Sequence, residues 1–138
     1  MVGLVTGVLS CKHQPVETPM AGSWKLEAVD GEQIPISLAP PPDAKYIREG
    51  LLLLYPDGVY TYDHWIEDFD GRRAKWSGTS AEGTWKRDGD DVYFTDKVTG
   101  ISHFGTAYGT ALRVVFNKQI HDFTMILLDP TVWQKGGT

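Results

Sequence analysis

The chain has 138 residues, 41% hydrophobic, 12% aromatic and 22% charged, with a formal net charge of −5. That length fits one domain able to bury about two thirds of its unfolded surface, and the composition excludes a chain disordered throughout. The acidic balance, without a Lys/Arg patch, argues against a nucleic-acid partner, and no window holds the roughly 18 apolar residues of a spanning helix.

Met1 to Leu9 is apolar and uncharged, and Ser10 and the lone cysteine, Cys11, follow directly. One cysteine excludes an internal disulfide framework. A short apolar run ending in small residues has the shape of a secretory segment and its cleavage site. The stretch resembles a bacterial lipoprotein signal, which implies cleavage before Cys11, lipid attachment at Cys11 and a place in the cell envelope. The plain alternative is an apolar N-terminus with one buried thiol. Residues 1–10 are thus assigned to the signal and 11–20, with two prolines and few hydrophobes, to a tether. The folded domain is expected over 21–138.

Gly22-Ser23-Trp24 opens the first strand, with Trp24, Leu26 and Ala28 on one face and Lys25 and Glu27 on the other. Asp30-Gly31 ends it. Ile34 to Asp43 carries four prolines and reads as a surface loop. Ala44 to Glu49 is compatible with a short helical turn. Leu51 to Tyr55 is an apolar run expected to be buried on both sides, and Pro56-Asp57-Gly58 turns it into a second strand over Val59 to Trp65.

Ile66 to Gly71 reads as an acidic turn and Arg72 to Ser77 as a short strand. Gly83-Thr84-Trp85-Lys86 echoes the first strand's opening. Further strands are expected over 92–96, 101–108, 112–117 and 123–128, divided by Asp88-Gly89-Asp90, by Gly109-Thr110 and by Lys118 to Asp122. Eight or more short strands without a long helix predict an all-β protein, an antiparallel barrel or sandwich. A closed up-and-down β-barrel is the preferred form, because closure removes exposed edges.

The Gly-x-Trp opening, the Tyr-Pro-Asp-Gly-Val-Tyr hairpin at 55–60 and the Gly-Thr-Trp strand at 83–85 occur in that order. Together, over Met20 to Leu128, they resemble a small bacterial lipocalin-like domain. The resemblance implies a calycin-type barrel, often on a secreted lipoprotein, with a cavity for a small apolar ligand. It also implies a basic residue from a late strand covering Trp24, for which Arg113 is the candidate.

Tyr60, Tyr62 and His64 share one face of their strand. Two phenols and an imidazole suit a cavity wall, offering apolar bodies and directional hydrogen bonds, or else a wetted outer face. His103 shares a face with Ile101, Gly105 and Ala107, where small neighbours leave room for a ligand or simply for a core imidazole. His13 falls in the tether and His121 in a turn. No spacing of His, Cys or acidic residues matches a zinc or calcium site, and no cofactor is implied. The sequence therefore favours an envelope lipoprotein binding a small apolar or amphipathic molecule without catalysis. Its candidate ligand-binding residues are Trp24, Tyr60, Tyr62, His64, His103 and Arg113. The alternatives are a filled barrel contacting an envelope protein through the Pro-rich and acidic loops, and an enzyme using His64 or His103 as general base.

Overall fold

Alternating apolar and polar residues, broken by glycine-rich turns, give the chain a β architecture throughout the residues described. A computed structural model describes residues 20–126. Cys11, the expected signal segment and most of the expected tether lie outside them. Ten strands follow in order: β1 (Gly22–Val29), β2 (Glu32–Gln33), β3 (Ile36–Ala39), β4 (Lys45–Leu54), β5 (Val59–Asp70), β6 (Arg73–Asp88), β7 (Asp91–Asp96), β8 (Ser102–Tyr108), β9 (Ala111–Phe116) and β10 (Gln119–Ile126).

Every pairing is antiparallel. β4 through β10 form a meander, and β10 pairs with β1 from Ser23↔Ile126 to Val29↔His121. β1 then pairs with β4 from Gly22↔Leu54 to Lys25↔Leu51, closing an eight-stranded barrel. β2 and β3 are the two extra strands. They line the gap left where β1 and β4 diverge, β2 on β1 and β3 on β4.

Two-residue loops set the register of five hairpins. Asp30-Gly31 and Asn117-Lys118 each hold both residues at positive φ, the geometry that matches strand twist. Gly71, Gly89 and Gly109 begin the other three, again at positive φ, where a side chain would be strained.

The interior follows from the alternation. Trp24, Leu26, Leu52, Leu54, Tyr60, Val92, Phe94, Leu112, Val114 and Phe123 are almost wholly removed from water. At roughly 25 cal/mol per Å² of apolar surface, such residues dominate the driving force for closure. Gly83 lets two strands meet: a Cβ there would lie 1.9 Å from the Thr95 carbonyl oxygen.

Four local expectations need correction. Ala44 to Glu49 forms no helical turn but begins β4, where a bulge between Ile47 and Glu49 breaks the alternation. The acidic stretch 66–70 is strand, not turn, because β5 and β6 pair continuously out to Asp70↔Arg73. Part of the Pro-rich segment is the edge strand β3, between the prolines rather than through them. Of the leucine run, Leu52 and Leu54 are fully interior, whereas Leu51 and Leu53 on the other face are only half-buried.

Candidate functional site

The barrel's two ends differ. At the end holding the start of β1, Trp24 is fully buried and its Nε1–H donates to the Met20 carbonyl at 2.9 Å. Trp85 Nε1–H likewise donates to the Tyr55 carbonyl at 2.9 Å. Both indoles are satisfied, and Tyr60 and Phe94 meet edge to face at 5.2 Å above them. This end is filled.

The other end holds a cleft of about 330 Å³. It opens where β6 parts from the β7–β8 connection. β7 pairs with β6 only from Gly83 to Asp88, and Lys97 N–H adds one bond to the Glu82 carbonyl. Beyond that point β6 pairs with β5 alone, and Thr79, Ser80 and Ala81 face Asp96, Thr99 and Ile101 across the opening.

Tyr60, Tyr62 and His64 of β5 point inward, not to the outer face, and all three line this cleft. The flanking strands make room for them. Across from Tyr60, Tyr62 and His64, β6 places Gly83, Ala81 and Thr79, and β4 places Gly50 opposite His64. A Cβ on Gly50 would fall 2.7 Å from Leu26 and 3.2 Å from the His64 ring. His103 of β8 also lines the cleft, half-buried, with its ring 5.0 Å from that of Phe116.

His121 is the residue that sequence reasoning misplaced. It lies on β10, not in a turn, and is buried inside the barrel. Its Nδ1 is 2.7 Å from the Tyr62 hydroxyl, and its ring stacks at 6.2 Å on His64. The signal was available: His121, Phe123 and Met125 alternate with Ile120, Asp122 and Thr124. Phe116, inward on β9 by the same alternation, touches Tyr62, His103 and His121, which makes it the cleft's aromatic floor.

Burial sets the charge state of these groups. His121 is pushed down to about 4, first by desolvation and then by the neighbouring His64. Desolvation lowers His64 and His103 as well, against the opposing pull of Asp63 and Asp96. Tyr62 is pushed well above the usual phenol range by burial alone, so its O–H donates to neutral His121 Nδ1. Tyr60 rises to about 12 through burial and then the Asp96 charge. Among the described residues two buried side-chain atoms have no hydrogen-bond partner: Ser23 Oγ, next to Trp24 in the chain, and His64 Nε2 at the cleft.

The remaining sequence candidates lie elsewhere. Trp24 belongs to the filled end and does not reach the cleft. Arg113 does not cover Trp24. On β9 the inward positions are Leu112, Val114 and Phe116, so Arg113 faces out, where its Nε–H donates to Asp122 at 2.6 Å and its guanidinium is held above its ordinary range. Among the described residues, no three His, Cys, Asp or Glu side chains converge as a metal-ligand set, and no helix is long and apolar enough to cross a membrane.

No protein-family model matches the chain, and no curated protein matches it by sequence. Among solved structures, that of the Cpx pathway activator NlpE from Escherichia coli aligns with a TM-score of 0.44 at 22% identity. The alignment covers 80% of this chain and 47% of that one, so the chain spans about half the length of the protein it matches.

Proposed function

We propose that this protein is a non-catalytic, lipocalin-like envelope lipoprotein that binds a small apolar or amphipathic molecule in the cleft at the histidine end of its barrel. The observation that carries the reading is the contrast between a tightly filled interior and a 330 Å³ cleft lined by Tyr60, Tyr62, His64 and His103. That volume is at the low end of ligand pockets, and its lining combines aromatic surface with a few directional polar groups, as such sites require. His64 Nε2, buried at the cleft without a partner, is one polar group that a ligand could satisfy. The envelope location and the acyl anchor rest on the apolar run before Cys11.

Native mass spectrometry of the protein purified from its host membranes tests both parts. The expected spectrum shows an N-terminal lipidated Cys11 and a small molecule released at higher collision energy. A free Cys11 thiol behind an intact Met1 would remove the anchor, and repeated preparations without any adduct would remove the ligand.

A second reading has one observation in its favour. Trp65 and Trp76, 49% and 57% exposed, stand on the outer face of the β5–β6 hairpin beside Arg48 and Glu49. Exposed indoles are common anchors of protein interfaces, so an envelope protein docking there is the rival. Crosslinking in host membranes through a photoreactive residue at position 76 distinguishes the two: a discrete protein adduct favours docking.

A further inference from the structure

The cleft's lining is one-sided in charge. Among the described residues that form it there is no Lys or Arg, and the single formal charge is the Asp96 carboxylate at the rim. Asp96 Oδ1 accepts the backbone N–H groups of Val98 and Thr99 at 2.8 and 2.9 Å. Those bonds hold the carboxyl below its usual range, so it is ionised at neutral pH. It sits close enough to Tyr60 and His103 to perturb both.

The imidazoles cannot supply the missing positive charge. Burial keeps His64, His103 and His121 neutral near pH 7, and His121 Nδ1 is already occupied by the Tyr62 hydroxyl. A carboxylate or phosphate entering the cleft would shed water, meet no cation and face Asp96. An ammonium group has the reverse experience. It exchanges water for a fixed carboxylate at the rim, while the body of the ligand packs on Phe116 and Tyr62. The cleft's volume of about 330 Å³ suits one ring with a short chain.

We propose that the cleft selects a primary amine carried on a single aromatic or short apolar body, its ammonium held by Asp96, and rejects carboxylates of the same shape. This rests on the cleft being a ligand site.

The test is titration of the full-length protein at pH 7.5 with phenethylamine, 2-phenylethanol and 3-phenylpropionate, read by the imidazole ¹H–¹³C NMR signals. Phenethylamine is expected to shift His103 and its neighbours saturably. The alcohol should bind about 10-fold more weakly, the scale of removing one charge-assisted hydrogen bond. The carboxylate should bind about 100-fold more weakly, because attraction to Asp96 becomes repulsion. Asp96→Asn should bring the amine down to the level of the alcohol, leaving the alcohol unchanged. Its amide oxygen can still accept the Val98 and Thr99 N–H groups, so the protein is expected to stay folded with a small drop in Tm from the lost charge. A carboxylate that binds as well as the amine, or an amine indifferent to Asp96→Asn, overturns the selectivity and leaves the site standing. Three ligands that shift no imidazole overturn the site and the selectivity together.

Discussion

Trp24 and His64 are both aromatic, both carry a ring N–H or ring nitrogen, and both point into the same barrel. At one end the Trp24 Nε1–H meets the Met20 carbonyl and the ring is wholly enclosed. At the other, His64 Nε2 is shut off from water and meets nothing. The cleft lies only on the His64 side, so the same strands build a finished end and an unfinished one. The lesson is that burial alone does not separate core from site, and neither does one unmatched polar atom, since Ser23 Oγ beside Trp24 is unmatched too; the open volume lined by Tyr62, His64 and His103 does.

The contrast is broken most severely at the finished end. Trp24→Ala should cost about 3–5 kcal/mol, measured by urea denaturation, because the void cannot collapse between β1, β4 and β10. A loss under about 1 kcal/mol would mean that the indole is not the packing centre of that end.

The next largest effect is a pH dependence confined to the unfinished end. His121 has a folded-state pKa of about 4 against the usual 6.5, so between those values the unfolded chain binds more protons than the folded one. Stability is then full above about pH 6.5 and is lost as pH falls toward 4, by about 2–3 kcal/mol from this residue. The lowered His64 and His103 add to it with the same sign. Denaturation midpoints for wild type and His121→Gln at pH 7 and pH 4.5 read this directly: the substitution should flatten most of the slope. An equal slope in both proteins would show that His121 is not titrating in the interior.

Tyr62→Phe comes next, at about 1–3 kcal/mol, since it strands His121 Nδ1 without its phenol donor. Thermal unfolding at pH 7 is sufficient, and a Tm equal to wild type would remove that hydrogen bond from the description. The smallest effect has the opposite sign. His64→Leu should leave stability unchanged or raise it by about 1 kcal/mol, because it deletes an unmatched buried nitrogen. A large loss would mean that His64 has a partner after all.

Much of this molecule could be read from its sequence because period-2 alternation is a direct consequence of strand geometry. Trp24-x-Leu26 and Tyr60-x-Tyr62-x-His64 identify faces, and Asp-Gly and Gly-Asp pairs identify hairpins. Alternation does not say which face is the interior when both carry aromatic or polar groups, so the orientation of Tyr62 required the closed sheet. The bulge at Arg48 hid the start of β4 by placing Ile47, Arg48 and Glu49 out of phase. The acidic composition of 66–70 hid a strand whose charges are served by neighbours: Glu67 accepts from Arg48 at 2.6 Å and Asp68 lies 4.0 Å from Lys45. His121 was obscured by the expectation of a longer turn. Asn117 and Lys118 complete that hairpin by themselves, leaving His121 two residues inside β10.

The most direct measurement is an electron-density map of the protein purified from its host. Continuous non-protein density among Tyr62, His103 and Phe116, with none beside Trp24, is the expected result. A cleft closed by the rings of Tyr60, Tyr62 and Phe116, or density at the Trp24 end instead, would contradict the division of this barrel into a filled half and a receiving half.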